Sequence, residues 1–524
     1  MIERLREIEP SALTTFTDDL KKDLVNRVTD KVSHLESSLA VAELTVVLHY
    51  LMNTPEDVLI WDVGHQGYVH KALTGRLIDL QTQRHKNGIS GFLRRAESLY
   101  DFFGAGHAST SISALTGVCL ADQSTGLNRK RVAVIGDGSM TGGQSFEALN
   151  HLSTIDTDAL VILNDNNGSI DPTIGSLHIQ GNYKHYFQSL GWRYTYVNQG
   201  NNIASLLEAV KAAFEKGGKQ VLHIQTYRPL LSKTKSYKPA TTFQWWAAEK
   251  LRSILSKDAG LRILSPAMFA GSGFAPLRKE FPKQFIDSGI NEPHTVTTAA
   301  GIVAAGGYAW VHIYSTFLQR AVDQVIHDVA LQGLPLIFLV DRAGIVGGDG
   351  PTHHGVFDLG FLMDIPNVTI WNSRNGDELQ AMISKAWEIQ GELSGPLFIR
   401  YPKDKTSCDS PEEFSPYHWL TEQNSNSLLV STGHLTSKVQ TGLFDHLHLG
   451  QIKPLPPNLT DILSKYSNVL VLEESLGQGG LFGAIAGVVA DADLNLRLAK
   501  RKISDAFTNH GVREELLKEL GLMP

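Results

Sequence analysis

Short apolar runs that end in small or polar residues recur along the first part of the chain. VLIWDV at 58–63, RVAVIGDG at 131–138 and ALVILNDNN at 159–167 are rich in β-branched residues, which is typical of buried strands. Helical sequence separates them, as in SSLAVAELTVVLHYL at 37–51 and in GGQSFEALNHL. Strands that alternate with helices at this spacing form βαβ units, so the pattern predicts an α/β fold with parallel sheets.

The same alternation continues in two further segments. Apolar runs at 334–344 and 396–402 predict strands of a second unit, and SLLVSTG predicts the first strand of a third. The polar, Pro-containing stretch at 228–242 is either a linker between domains or a loop over an active site. We therefore predict three α/β domains with mostly parallel sheets, over residues 1–235, 243–405 and 420–524.

Composition excludes several classes of protein. The chain has 47 Lys and Arg against 54 Asp and Glu, a net charge of −7, which argues against nucleic acid as a partner. Its two cysteines, Cys119 and Cys408, cannot form a disulfide framework, and we expect free thiols in a reducing compartment. Neither a secretory signal nor a run of 18 apolar residues is present. We therefore expect a cytoplasmic protein with no membrane partner.

Polar side chains follow two neighbouring predicted strands. Asp137 stands between Gly136 and Gly138, and Asn166 lies 29 residues further along the chain. The carboxyl ends of parallel strands meet at one edge of a sheet, where ligands bind. A carboxylate, an amide oxygen and one backbone carbonyl, for which Gly168 is the candidate, suit Mg²⁺ and leave positions for two diphosphate oxygens. Gly-Asp-Gly followed about thirty residues later by Asn-Asn matches the signature of thiamine diphosphate binding.

Thiamine diphosphate chemistry also needs a carboxyl group that is held away from water and shares a proton with the pyrimidine ring nitrogen. Glu292 in INEPHTVTTAAGI is the candidate, because its neighbours are small or apolar and a helical segment follows. A single glutamate is otherwise most often a solvated surface residue, and the sequence leaves that alternative open.

Beyond these motifs, long stretches of the chain resemble the 1-deoxy-D-xylulose-5-phosphate synthase family of the transketolase superfamily. The matching segments include DVLIWDVGHQGYVHKALTGR, GDGSMTGGQSFEALNHL, YSTFLQRAVDQVIHDVALQ and DRAGIVGGDGPTHHGVFDL. The resemblance implies a transketolase-like fold and a homodimer with each active site between the first two domains. It also implies condensation of pyruvate with D-glyceraldehyde 3-phosphate, with release of CO₂, and a product that feeds isoprenoid and thiamine biosynthesis.

The resemblance also assigns roles to individual residues. The implied Mg²⁺ ligands are Asp137 and Asn166, and Gly168 remains the candidate for the backbone carbonyl. The implied cofactor-binding residues are Gly136, Asp137, Gly138, Ser139, Asn166, His65, Glu292 and Phe317, of which Phe317 stacks on the aminopyrimidine. The implied catalytic residues are Glu292, His34, His65 and His107. The implied acceptor site consists of Tyr314, Arg320, Asp349, His353 and Lys403, with Arg320 as a phosphate ligand.

Four positions depart from the family pattern, and the segment after Asn166 is shorter. Gln244 replaces a histidine, Lys403 replaces an arginine, VNQGNN at 197–202 replaces an Asp-Gly-His loop, and Pro293 follows the predicted activating glutamate. Glutamine forms hydrogen bonds but cannot transfer a proton at neutral pH. Two alternatives therefore stay open. One is a related carboligase with another 2-oxo acid donor or aldehyde acceptor, and the other is a catalytically weakened homologue with a binding role.

Overall fold

The computed structural model describes residues 1–28, 35–166, 173–229, 241–408, 410, 412–439, 442, 444–476 and 479–523. The predicted site residues His34 and Gly168 lie outside these residues, as does most of the stretch at 228–242. Contacts divide the chain into two units, Met1–Lys235 with Gly289–Asn291 and Ser236–Ser288 with Glu292–Pro524. Among the described residues, no helix has both the length and the apolar character that crossing a membrane requires.

The described part of the first unit contains a parallel five-stranded sheet in the order β1-β2-β3-β5-β4. Its strands are β1 (Val58–Asp62), β2 (Arg131–Gly136), β3 (Ala159–Asp165), β4 (Arg193–Val197) and β5 (Lys219–Gln225). Its helices are α1 (Ile2–Arg6), α2 (Leu13–Val28), α3 (Leu35–Ala40), α4 (Ala42–Leu51), α5 (Tyr68–Lys71), α6 (Ser111–Thr125), α7 (Asp137–Met140), α8 (Gly143–Leu152), α9 (Ser176–Ile179), α10 (Tyr183–Ser189) and α11 (Ile203–Lys216). The strands predicted from the three apolar runs are confirmed as β1, β2 and β3.

The single helix predicted over 37–51 is wrong in one respect, because the structure has two helices there. Val41 separates α3 from α4 with a ψ of 18°. The Thr45 hydroxyl donates a hydrogen bond to the backbone carbonyl of Val41 at 2.6 Å, a local bond that often bends helices.

The two faces of the first sheet pack against different hydrophobic clusters. Val132 and Val134 belong to one cluster, whereas Ala133 and Ile135 belong to another. Successive side chains of a strand point to opposite faces, so a strand covered on both sides must be apolar throughout. Polar side chains are therefore placed at the strand ends, where the functional residues were predicted.

The second unit contains two further sheets within the described residues. One has the order β15-β10-β11-β9-β8-β6-β7, parallel except for β15, and the other has the order β12-β14-β13-β16-β17, parallel except for β12. The strands are β6 (Arg262–Ser265), β7 (Phe285–Asp287), β8 (Ala309–Tyr314), β9 (Ile337–Asp341), β10 (Thr369–Asn372), β11 (Leu397–Tyr401), β12 (Tyr417–Thr421), β13 (Ser427–Ser431), β14 (Asp445–Leu449), β15 (Gln451–Lys453), β16 (Asn468–Leu472) and β17 (Arg497–Arg501).

Helices cover these sheets and join them through a shared core. They are α12 (Phe243–Leu255), α13 (Ala275–Glu280), α14 (Glu292–Ala304), α15 (Ser315–Leu318), α16 (Val322–Gln324), α17 (Asp358–Leu362), α18 (Gly376–Ile389), α19 (Leu459–Leu463), α20 (Leu481–Asp491) and α21 (Arg513–Glu519). One cluster contains Phe338 of β9 together with Val430 of β13 and Leu447 of β14. This continuous core explains why the two sheets form one compact unit.

A buried ion pair fixes α17 against β11. The Arg400 guanidinium donates to both carboxylate oxygens of Asp358, at 2.8 and 2.9 Å, and both side chains are almost completely buried. We expect Asp358→Ala to lower the free energy of unfolding of the second unit by about 3–5 kcal/mol, because it leaves a buried charge without its partner. Urea unfolding followed by tryptophan fluorescence measures this change.

The matched control is Glu280→Ala, which removes the partner of Arg252 in a partly exposed ion pair. We expect a change of about 0–1 kcal/mol, as is usual for surface pairs. Equal losses for the two variants would show that the Arg400–Asp358 pair contributes no more than a surface contact.

Candidate functional site

In the first unit, the predicted diphosphate residues form a turn at the carboxyl end of β2. Gly136 ends the strand and precedes α7, so Asp137, Gly138 and Ser139 form the first turn of that helix. Asp137 is 2% exposed. The Thr173 hydroxyl donates a hydrogen bond to its Oδ2 at 2.6 Å.

Acidic and amide oxygens gather at the adjacent strand end. Ligand atoms of Asp137, Asp165 and His178 lie within 4.8 Å of one another. Asn166 follows β3, and its buried Oδ1 has no hydrogen-bond partner among the residues that the structure describes. Burial raises the pKa of Asp137 above its ordinary value; the Thr173 hydrogen bond lowers this pKa, and the neighbouring Asp165 raises it further. Two close carboxylates and an unpaired amide oxygen fit a hard divalent cation, so the donor set suits Mg²⁺.

The loops that carry His65 and His107 lie at the same edge of the sheet. Asp62, the last residue of β1, accepts hydrogen bonds from the backbone N–H groups of Ser109 at 2.9 Å and Ser111 at 3.0 Å. The Ser109 hydroxyl donates to the backbone carbonyl of Ser139 at 2.7 Å, which fixes the His107 loop beside the α7 turn. His65 lies in the turn Gly64–Gln66 that follows β1. Asp62 was not predicted, although it ends an apolar run in the same way as Asp137.

In the second unit, Glu292 is the first residue of α14 and is 2% exposed. The alternative of a solvated surface glutamate is therefore wrong. Burial raises the pKa of Glu292 above its ordinary value, and the Arg320 guanidinium, 3.3 Å away, opposes this effect only in part. A carboxyl group with a raised pKa retains its proton more readily near neutral pH, as a proton-sharing group requires.

Aromatic residues of the predicted acceptor and pyrimidine sites pack together. The rings of Tyr314 and Phe317 are stacked, with centroids 5.5 Å apart and planes at 10°. His353 meets the Phe317 ring edge-on at 5.6 Å. Thr316 connects the two loops, because its hydroxyl donates to the backbone carbonyl of Thr352 at 2.9 Å.

Arg342 is a candidate residue that the sequence analysis missed. Its guanidinium carbon lies 3.7 Å from the Tyr314 ring centroid, and the residue follows Asp341, the last residue of β9. Its position directly after a strand end is the signal that could have identified it. Arg320, the predicted phosphate ligand, donates a hydrogen bond to Glu292 at 3.3 Å. Lys403 lies 3.5 Å from Asp349 and is 46% exposed.

The chain is similar to known proteins along nearly its whole length. Residues 1–182 match the family model of 1-deoxy-D-xylulose-5-phosphate synthase, and residues 241–407 match the pyrimidine binding domain of transketolase. The 1-deoxy-D-xylulose-5-phosphate synthase of Methylobacillus flagellatus is 36% identical over 597 positions, which cover 99% of this chain and 96% of the relative. Those of Pseudoalteromonas translucida and Buchnera aphidicola are 36% and 37% identical, covering 99% and 100% of this chain and 95% of each relative.

The chain belongs to the 1-deoxy-D-xylulose-5-phosphate synthase family. As a member of this synthase family it is a transferase of the transketolase type, and the family implies thiamine diphosphate as cofactor. The alignment with the Methylobacillus synthase spans 597 positions, more than the 524 residues of this chain. That synthase therefore contains residues that this chain lacks.

The predicted cation site can be tested by measuring the affinity of variants for a divalent metal ion. We expect Asp137→Asn and Asn166→Ala each to weaken Mn²⁺ binding, measured by electron paramagnetic resonance with thiamine diphosphate present. The loss should be at least about tenfold, the effect typical of even an outer-shell partner. Asp156→Asn, which changes an exposed aspartate of the same unit, should leave Mn²⁺ affinity unchanged. Wild-type affinity in the Asp137 and Asn166 variants would exclude these two side chains as ligands.

Because the pKa of Glu292 is raised, its contribution to the free energy of unfolding is expected to depend on pH. An acid whose pKa is raised on folding binds more protons in the folded state, so its contribution to stability falls as pH rises above its ordinary value of 4.5. We expect Glu292→Gln to increase the free energy of unfolding relative to wild type, with the increase growing from pH 4 to pH 8. Denaturant titrations across that range measure it, and Glu280→Gln, at a partly exposed glutamate, is the control. An increase that does not change with pH would contradict the assignment.

Proposed function

We propose that the chain catalyses the thiamine diphosphate- and Mg²⁺-dependent condensation of pyruvate with D-glyceraldehyde 3-phosphate, giving 1-deoxy-D-xylulose 5-phosphate and CO₂. The observation that carries the proposal is Glu292, a buried carboxyl with a raised pKa in a chain of this synthase family. Bound thiamine diphosphate supplies the thiazolium carbon at which the carbon–carbon bonds break and form.

We further propose that the predicted domains bind different parts of the cofactor. Residues 1–235 bind the diphosphate and Mg²⁺ through Asp137, Asn166 and the backbone of Gly168, and residues 243–405 bind the pyrimidine. Residues 420–524 form a transketolase C-terminal-like domain. By the family resemblance, the enzyme acts as a cytoplasmic homodimer.

The side chains of the second unit take distinct roles in this proposal. Glu292 holds a proton on its carboxyl group and shares it with the pyrimidine nitrogen, while Phe317 offers an aromatic face to the ring. Arg342, with a planar guanidinium stacked on Tyr314, is suited to hold the phosphate of the acceptor, together with Arg320 and Lys403. His34, His65 and His107 are suited to proton transfer near neutral pH.

A related carboligase with another acceptor is the second candidate. The observation that favours it is Lys403, which is exposed and adjacent to Asp349 at a position where the family has arginine. A lysine cannot offer the two parallel donors of a guanidinium, so the acceptor phosphate would be less strictly recognised.

One assay separates these proposals. Purified protein with Mg²⁺, thiamine diphosphate, pyruvate and D-glyceraldehyde 3-phosphate is followed for CO₂ and for 1-deoxy-D-xylulose 5-phosphate. We expect stoichiometric formation of both products, and Glu292→Gln should lower kcat about 10²–10⁴-fold, the usual contribution of a positioned acid–base group. Glu280→Gln should keep full activity.

Different outcomes point to different conclusions. Release of CO₂ without the deoxy-ketose phosphate would favour the carboligase with another acceptor. No cofactor-dependent reaction would favour the weakened homologue with a binding role. Full activity in Glu292→Gln would remove this residue from its proposed role.

A further inference from the structure

Gln244 connects two neighbouring strand ends of the second unit, and a cationic residue follows each of them. It occupies the first turn of α12 and is 7% exposed. Its Nε2 donates one hydrogen bond to Asp341 Oδ1 at 2.6 Å and another to the backbone carbonyl of Pro402 at 3.0 Å. Asp341 directly precedes Arg342, and Pro402 directly precedes Lys403. One amide nitrogen therefore connects the ends of β9 and β11.

Asp341 connects Gln244 to the Arg342 guanidinium. Its carboxylate is completely buried, and Oδ2 accepts a hydrogen bond from Arg342 Nη1. Burial alone would raise the pKa of Asp341, but Arg342, His312 and Gln244 together hold this pKa below its ordinary value. The carboxylate is therefore ionised, and each of its oxygens already has a donor.

Arg342 is held on three sides. Besides Asp341, the backbone carbonyl of Gly271 accepts a hydrogen bond from Nη2 at 3.0 Å, and the Tyr314 ring lies against the guanidinium. The backbone of Arg342 has a φ of +61°, a left-handed conformation that non-glycine residues adopt rarely and that surrounding contacts must enforce. A shift of Asp341 would therefore move the guanidinium.

The amide at position 244 has a property that the family's histidine lacks. An amide nitrogen carries two hydrogens and can serve two acceptors at once, whereas each nitrogen of a histidine ring carries at most one. Histidine also gains charge near pH 6.5, and glutamine does not. Gln244 can therefore hold Asp341 and the Pro402 carbonyl simultaneously and with the same strength across the physiological pH range.

We propose that Gln244 is a positioning residue that sets the separation of Arg342 and Lys403, and thereby the affinity for the phosphate group of the aldehyde acceptor. The proposal rests on the proposed function, in which these cations bind that phosphate. Gln244 acts through Asp341 and the Pro402 carbonyl, without a role in the chemistry of the donor.

The test compares a phosphorylated with an unphosphorylated acceptor. In Gln244→Leu, which keeps the size and removes both donors, we expect KM for D-glyceraldehyde 3-phosphate to rise about 10–100-fold, the range found when an outer-shell partner is lost. KM for pyruvate and the kcat/KM for unphosphorylated D-glyceraldehyde should stay within about twofold of wild type. Glycerol 3-phosphate, a phosphate monoester that cannot react, should bind more weakly by a similar factor in calorimetric titrations.

Two further variants make the test specific. Gln284→Leu is the matched control, because Gln284 is also 7% exposed and its Nε2 donates to the backbone carbonyls of Asp258 and Leu261. It should leave KM for the phosphorylated aldehyde unchanged. Gln244→His has one N–H donor when the ring is neutral and two, on different ring nitrogens, when it is protonated. We therefore expect an intermediate KM that varies with pH between 5.5 and 8, in contrast to the wild type.

The proposal is overturned if Gln244→Leu impairs both aldehydes equally, or if glycerol 3-phosphate binding is unchanged in it. It is also overturned if Gln284→Leu reproduces the selective loss. A wild-type protein that forms no deoxy-ketose phosphate, yet binds glycerol 3-phosphate in a Gln244-dependent way, would refute the proposed reaction while supporting the positioning role.

Discussion

Burial of both faces of the parallel sheets is the constraint on which the candidate site depends. A polar side chain in the middle of β3 or β9 would lose its hydration without gaining a partner, and both strands are buried along their whole length. The first positions that tolerate a carboxylate or an amide are the strand ends. Asp62 and Asp341 end their strands, and Asp137 and Asn166 follow theirs, so the fold itself gathers these groups at one edge of each sheet.

The buried carboxylates differ in pKa because they differ in what surrounds them. Asp341 faces Arg342, which stabilises its ionised form and keeps its pKa low. Glu292 is equally buried, but Arg320 compensates its desolvation only in part, so its pKa is raised. Asp137 lies near another carboxylate and fits a site completed by a cation. Identical chemical groups thus acquire different pKa values through their neighbours.

Sequence patterns predict this architecture where burial is uniform and fail where it is not. The strands β1, β2 and β3 contain buried apolar runs and were found, whereas β4 (Arg193–Val197) has a single buried residue and no such run. The placement of β15 in the second sheet, against β10, depends on a pairing between segments some eighty residues apart. Arg342 escaped prediction because the Tyr314 ring, against which its guanidinium lies, is brought next to it only in the folded chain.

Three of the four departures from the family pattern share a physical character: Gln244 and the loop at 197–202 replace titrating side chains by neutral ones, and Lys403 replaces a guanidinium by an amine. Asn201, in the loop where the family has Asp-Gly-His, donates to the carbonyl of Ala40 and to Glu43, and accepts from the N–H of Tyr227. Its amide therefore fixes the loop to α3 and α4. Gln244 makes the corresponding bonds in the second unit. Two amides thus hold loops in place without a titrating group of their own, whereas the family pattern has a histidine at position 244 and in the loop at 197–202.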